Sequence, residues 1–192
     1  MNFLAHLYLS KTFDDVMIGN LMADFVKGNP AGLHNGEICR GIALHRSIDT
    51  FTDGHPVVRE SKARLAPTYH HYAGVIVDIF YDHFLAVHWG KYNRVPLPEF
   101  ARAVYRLLDE KKALLTDPMR MVSKYMHEQD WLVGYAQLPG IERVFEGMAR
   151  RTRFVSGMER ATEDLRRDYV HYENEFFRYF PDLIRHVEET VH

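Results

Sequence analysis

The residues most able to do chemistry in this chain are aspartates and histidines set four apart. In the stretch Gly74 to Trp89, Asp78 and Asp82 share one side of a predicted helix with Val75, Leu85 and Trp89, while Ile76, Ile79 and Phe80 cover much of the remainder. Two carboxylates about 6 Å apart at an effective dielectric near 20 repel by roughly 3 kcal/mol, so both remain ionised only beside a compensating positive charge. A metal ion supplies that charge; arginines or an opening to solvent are the structural alternatives. The same device recurs at Asn2/His6, Asn20/Asp24 and His45/Asp49, each pair on its own predicted helix and flanked by apolar residues. Asp53 extends the His45/Asp49 line by a turn, and His83 adjoins Asp82. Together these residues offer imidazole nitrogen and carboxylate oxygen, a donor set suited to manganese, magnesium, iron or zinc in an open catalytic site. The ordinary alternatives are a satisfied core histidine at His6 and a capping or bridging role for Asn20 and Asp24.

The elements that must position these side chains read as helices throughout. Residues 1 to 9 form a short apolar segment, and Thr12 to Asp15 resembles a capping box opening a second helix that stops at Gly28-Asn29-Pro30. A third helix runs from about Glu37 to Phe51 with Leu44, Ile48 and Phe51 on its core side, and a fourth from Val57 to Leu65. The Asp78/Asp82 helix follows Pro67, and Pro96 and Pro98 mark the next loop. Helices are then expected over 98 to 115, 118 to 134, 141 to 154 and 156 to 180, the last closed or kinked by Pro181. No alternating run reads as a strand and no linker divides the 192 residues. The expectation is therefore one all-α domain, a helical bundle over 1 to 192, with the metal-site residues in 1 to 90 and packing or partner-binding helices in 98 to 192.

Composition narrows the function classes. A net charge of -2 argues against nucleic-acid binding through a strongly basic surface, and one cysteine, Cys39, provides neither a disulfide nor a thiolate metal site. With no basic leader and no apolar run of membrane-spanning length, the expected location is the cytoplasm, with no membrane partner. Glycine-rich phosphate loops, a Gly-x-Ser-x-Gly elbow and a His-Glu-x-x-His motif are all absent. Of twelve histidines, His55 before Pro56 reads as part of a turn, and His70, His71, His127, His171 and His186 fall in polar surroundings.

Asn2-Phe-Leu-Ala-His-Leu, Gly19-Asn-Leu-Met-Ala-Asp-Phe, Gly41-Ile-Ala-Leu-His-Arg-Ser-Ile-Asp-Thr-Phe-Thr-Asp, His55-Pro and Asp78-Ile-Phe-Tyr-Asp-His-Phe-Leu, taken in this order, resemble the acyl carrier protein phosphodiesterase family over the whole length. That family is similar to the HD-type metal-dependent phosphohydrolases. The resemblance implies an HD-domain-like fold and hydrolytic removal of the 4'-phosphopantetheine arm from holo acyl carrier protein, with manganese the favoured divalent ion. It places the metal set on Asp24, His45, Asp82 and His83, with His6, Asp49 and Asp78 as additional ligands or as partners that orient the ligands; Asp49 or His6 could take the proton of a metal-activated water. The chain departs from the wider superfamily in having Asp82 followed by His83, where the HD motif is His followed by Asp. Arg46 or Arg40 beside the site would hold phosphate oxygens. An acidic carrier protein calls for basic docking residues, for which Arg59 with Lys62, and Arg150, Arg151 and Arg153, are the candidates. Two other functions fit the same residues: an HD-like hydrolase of small phosphate esters or nucleotides, and a non-catalytic helical binding protein whose clustered charges are structural.

Overall fold

The computed structural model describes residues 2–29, 36–152 and 155–190. Among these every regular element is helical: α1 (Phe3–Leu9), α2 (Asp15–Met22), α3 (Gly36–Gly54), α4 (Pro56–Tyr69), α5 (Ala73–Val87), α6 (Trp89–Tyr92), α7 (Leu97–Glu110), α8 (Asp117–Glu128), α9 (Trp131–Gly134), α10 (Leu138–Ala149), α11 (Ala161–Arg167) and α12 (Tyr169–Thr190). Short 3-10 turns lie at Ala23–Phe25, His70–Tyr72, Lys112–Leu114 and Met158–Arg160. Pro30, expected to end the second helix, the turn after it, and Arg153 of the basic run lie outside the described residues. None of the described helices is long and apolar enough to cross a membrane.

Helix α5 lies at the centre of the core. Ile76, Val77, Ile79, Phe80, Tyr81, Phe84 and Leu85 on it are wholly buried, as are Tyr172, Phe176, Tyr179, Phe180 and Leu183 on α12. The two helices meet through aromatic rings: Tyr81 lies 5.3 Å from Tyr179 and 5.9 Å from Phe176, and Phe80 lies 5.0 Å from Tyr172, centroid to centroid. Each such pair contributes about 1 kcal/mol beyond the area it buries. An ionic network ties α4 to α12, with half-buried Arg64 forking onto both oxygens of buried Glu175 at 2.7 and 3.0 Å and Ser61 donating to the same carboxylate.

Helix boundaries differ from the sequence expectation where local signals compete with packing. The helix predicted to continue to Gly28 ends at Met22 and tightens into the Ala23–Phe25 turn, which carries Asp24. Pro67 and Pro181 both lie inside helices. Proline costs a helix one hydrogen bond, but Leu183 and Val187 extend the buried stripe of Phe176 and Phe180 and carry α12 on to Thr190. The expected helix over 156 to 180 instead breaks at Asp168, and the one over 118 to 134 breaks at Asp130, whose φ is 47°.

One close approach decides the geometry of the site. A Cβ at Gly19 would stand 2.2 Å from the carbonyl oxygen of Ile38, and one at Gly41 would stand 2.1 Å from that of Val16. Only glycine lets the α2 and α3 backbones touch in this way. The contact presses Asn20 and Asp24 against His45.

Candidate metal centre

Helix α1 has seven residues, too few to be stable alone, and its N-cap Asn2 makes no side-chain cap. Asp82 of α5 provides the cap from across the fold: its wholly buried carboxylate accepts hydrogen bonds from Leu4 N at 2.7 Å and Ala5 N at 3.2 Å. Burial pushes the Asp82 carboxyl up to about 7, against the opposing pull of those two amides. His83 is engaged as well. Its Nδ1 donates to Tyr135 O at 2.8 Å, its Nε2 accepts from Tyr169 OH at 3.0 Å, and burial lowers its pKa. Asp82 and His83, expected as metal ligands, thus have structural partners here and are not among the His6, His45 and Asp49 group. One holds the start of α1 and the other ties α5 to the segments around Tyr135 and Tyr169; their donor atoms are already committed. Asp82→Ala is expected to lose about 1–3 kcal/mol of stability, since it leaves two buried amides unpaired. Urea titration of the two proteins measures the loss, and equal stabilities would remove Asp82 from this role.

With α1 anchored, His6 meets residues from α2 and α3. The His6 and His45 rings stack with centroids 4.0 Å apart and planes inclined by 14°. His45 Nδ1 donates to the backbone oxygen of Asn20 at 2.8 Å, and its Nε2 lies 3.1 Å from Asp24 Oδ1 and 3.0 Å from Asp49 Oδ2. His6 Nδ1 lies 2.9 Å from Asn20 Oδ1, and its Nε2 is 3.2 Å from Asp49 Oδ1, buried without a well-aligned hydrogen bond. The imidazoles are buried, while the Asp24 and Asp49 side chains are 66% and 40% exposed, so the group opens to solvent through its carboxylates.

Charge is unevenly matched here. Burial opposes a charged His45, but Asp24 and Asp49 outweigh it and push the imidazole up to about 9. Burial keeps His6 below its ordinary range. Asp49 is buried enough to favour its acid form, yet the hydrogen bond from His45 and the adjacent His6 ring hold it well below the usual carboxylate range; the bond to His45 lowers Asp24 too. Two carboxylates thus face one charged and one neutral imidazole, leaving a net negative site.

This donor set fits a divalent ion. One ligand-type atom from each of His6, His45 and Asp49 lies within 4.8 Å of the others, the arrangement of two histidines and one carboxylate with positions left open. Asp24 borders the group through His45. A cavity of about 10 Å³, lined by Asn2, Phe3, His6, Asn20, Leu21, Asp24 and His45, holds about one water molecule. Asp78 is not among the three; its charge, with that of Asp49, adds to the burial that raises the Tyr179 phenol. Arg46 is exposed on α3 and donates to Gly28 O at 2.8 Å, bracing the segment after Asp24, while Arg40 pairs with Glu37 at 3.0 Å. Sequence reasoning marked Asn20 only as half of an i, i+4 pair and passed over Ser10, whose hydroxyl lies 2.9 Å from Asn20 Nδ2. Neither could be read as serving two histidines before α1 and α3 were brought to the same side of α2.

A model of the family described as acyl carrier protein phosphodiesterase matches residues 1–183. The chain is 38% identical over 191 residues to a protein of that name from Klebsiella pneumoniae, covering 98% of each. It is 34% identical to the protein of that name from Photorhabdus laumondii, covering 98% of this chain and 96% of the relative. A Serratia proteamaculans protein of the same name is 33% identical, with 98% of each covered. No solved structure matches significantly. The full-length match joins the motifs that build the His6, His45 and Asp49 group to relatives that carry one name, and the chain belongs to the acyl carrier protein phosphodiesterase family.

Proposed function

We propose that this protein hydrolyses the phosphodiester joining 4'-phosphopantetheine to the serine of holo acyl carrier protein, releasing the apo protein and 4'-phosphopantetheine, in the cytoplasm. The observation that carries the metal-dependent form of this reading is the convergence of His6, His45 and Asp49 within 4.8 Å. These three residues would hold one divalent ion, manganese before magnesium, iron or zinc, with Asp24 as a fourth ligand or its neighbour. A bound ion would polarise the phosphate and lower the pKa of water toward neutrality. The exposed Asp24 carboxylate would be the proton acceptor at the mouth of the site, beside Asp49 and His6. Arg46 uses one of its five N–H donors on Gly28 O and keeps others for phosphate oxygens. An all-helical scaffold carrying His and Asp ligands supports an HD-like assignment, a reading drawn from the sequence resemblance.

The direct test is to incubate the purified protein with manganese and holo carrier protein and read the carrier's intact mass. Conversion to the apo mass supports the proposal; an unchanged mass beside turnover of small phosphate esters would move the assignment to a small-ester hydrolase. Docking is tested separately. Lys62 pairs at 2.6 Å with Asp53, one turn beyond Asp49, which supports Lys62, with the exposed Arg59 one turn before it on α4, as the first docking candidate. Arg150 and Arg151 lie on or just after α10, where Arg150 is 3.8 Å from Glu146 and Arg151 donates to Gly147 O. Replacing Arg59 and Lys62 by Glu is expected to raise KM for the carrier by about tenfold, ~1.4 kcal/mol, with little change in kcat, and more so at low salt. The same reversal at Arg150 and Arg151 should do less. Equal KM values for both variants at low and high salt would sink this docking face.

A further inference from the structure

Asn20 is wholly buried on α2, and its amide can point only one way. Its Nδ2 lies 2.9 Å from the carbonyl oxygen of His6, a group that only accepts hydrogen bonds. Nδ2 also lies 2.9 Å from Ser10 Oγ, whose own hydrogen goes to that same carbonyl at 2.9 Å. An oxygen in place of Nδ2 would set two acceptors against each other, so the NH2 group faces His6 O and Ser10. Oδ1 is then left for His6 Nδ1 at 2.9 Å, and because an amide oxygen only accepts, Nδ1 carries the hydrogen. The backbone oxygen of Asn20 imposes the same form on His45, whose Nδ1 lies 2.8 Å away.

We infer that Asn20 is a positioning residue that fixes a hydrogen on Nδ1 of both imidazoles, through its side chain for His6 and its backbone for His45, and so leaves Nε2 of each ring facing Asp49 as the atom that would bind a cation, on His45 once its Nε2 proton is displaced. Free neutral imidazole favours the opposite tautomer in water, with the hydrogen on Nε2. That form would bury the His6 Nδ1 lone pair against Asn20 Oδ1 and place a hydrogen where a cation must bind. The consequence for ion binding rests on the metal reading above, whereas the tautomer assignment does not.

The experiment combines long-range proton–nitrogen correlation spectra of the metal-free, histidine-labelled full chain with calorimetric titration of manganese. Wild type is expected to show His6 with its hydrogen on Nδ1. Asn20→Leu is expected to move that hydrogen to Nε2 and weaken manganese binding by about 10–100-fold. His45 should keep its Nδ1 hydrogen in the variant, because its acceptor is main chain; a merely structural loss would disturb both rings alike. Asn20→Asp retains an acceptor for His6 Nδ1 and is expected to restore its Nδ1–H signature. His6 carrying its hydrogen on Nε2 in wild type would overturn the inference even if Asn20→Leu failed to fold. So would a folded Asn20→Leu protein with an unchanged His6 signature and unchanged manganese affinity. Wild type with the Nδ1–H signature but no manganese binding would overturn the metal reading and leave the tautomer role of Asn20 standing.

Discussion

Asp49→Ala is expected to lower turnover of holo carrier protein by at least about three orders of magnitude, roughly 4 kcal/mol of barrier, and to remove tight manganese binding. Asp49 is the carboxylate on which both imidazoles converge, at 3.0 Å from His45 and 3.2 Å from His6, so no other described side chain replaces it geometrically. Its side chain is 40% exposed, and its loss opens no cavity in the apolar core. Helical content should therefore stay near that of wild type. His45→Ala is expected to act in the same way, while Asp24→Ala should cost less, because Asp24 is 66% exposed and meets the group only through His45. Steady-state kinetics at saturating manganese, with circular dichroism and calorimetry on the same samples, provide the check. Near wild-type turnover from Asp49→Ala would strike Asp49 from the ligand set. The contrast with Asp82→Ala is informative, since there the loss should appear first in stability.

The second large effect concerns a residue with no chemistry of its own. Gly41→Ala places a methyl group 2.1 Å from the carbonyl oxygen of Val16 and 2.6 Å from the backbone nitrogen of Asn20. Neither is the flexible end of a side chain, so α2 and α3 must separate. Overpacking of this kind costs about 3 kcal/mol or more. Separation also draws Asn20 and Asp24 away from His45, so the folded fraction should bind manganese poorly. Gly54→Ala, at the far end of the same helix, meets nothing within 4 Å and should be neutral or stabilising, by up to ~1 kcal/mol. Thermal unfolding of the two variants, with manganese titration of each, tests the argument. Equal midpoints for Gly41→Ala and wild type would mean that the α2–α3 contact is not tight.

How much of this was legible in the residues themselves follows from the range of each interaction. Helix periodicity is local, so the His45/Asp49 pairing, the buried stripes of α5 and α12 and the helical class could be read from spacing alone, whereas Asp24 falls in the turn after α2 and not on the helix with Asn20. The motifs running from Asn2 to Leu85 carried the family as well. The helix limits at Met22, Asp130 and Asp168, and the passage of α12 through Pro181, were decided by packing that local propensity does not contain. The assignment of each acid was decided in the same way. Asp78/Asp82 and His45/Asp49 are equivalent as patterns, two polar groups one turn apart on an apolar helix. Only the tertiary structure sets the Asp82 carboxylate against the unpaired amides of α1 and the Asp49 carboxylate against two imidazoles. Spacing along a helix determines which side chains share a face; what that face meets depends on contacts between segments as distant as Leu4 and Asp82, which no local pattern encodes.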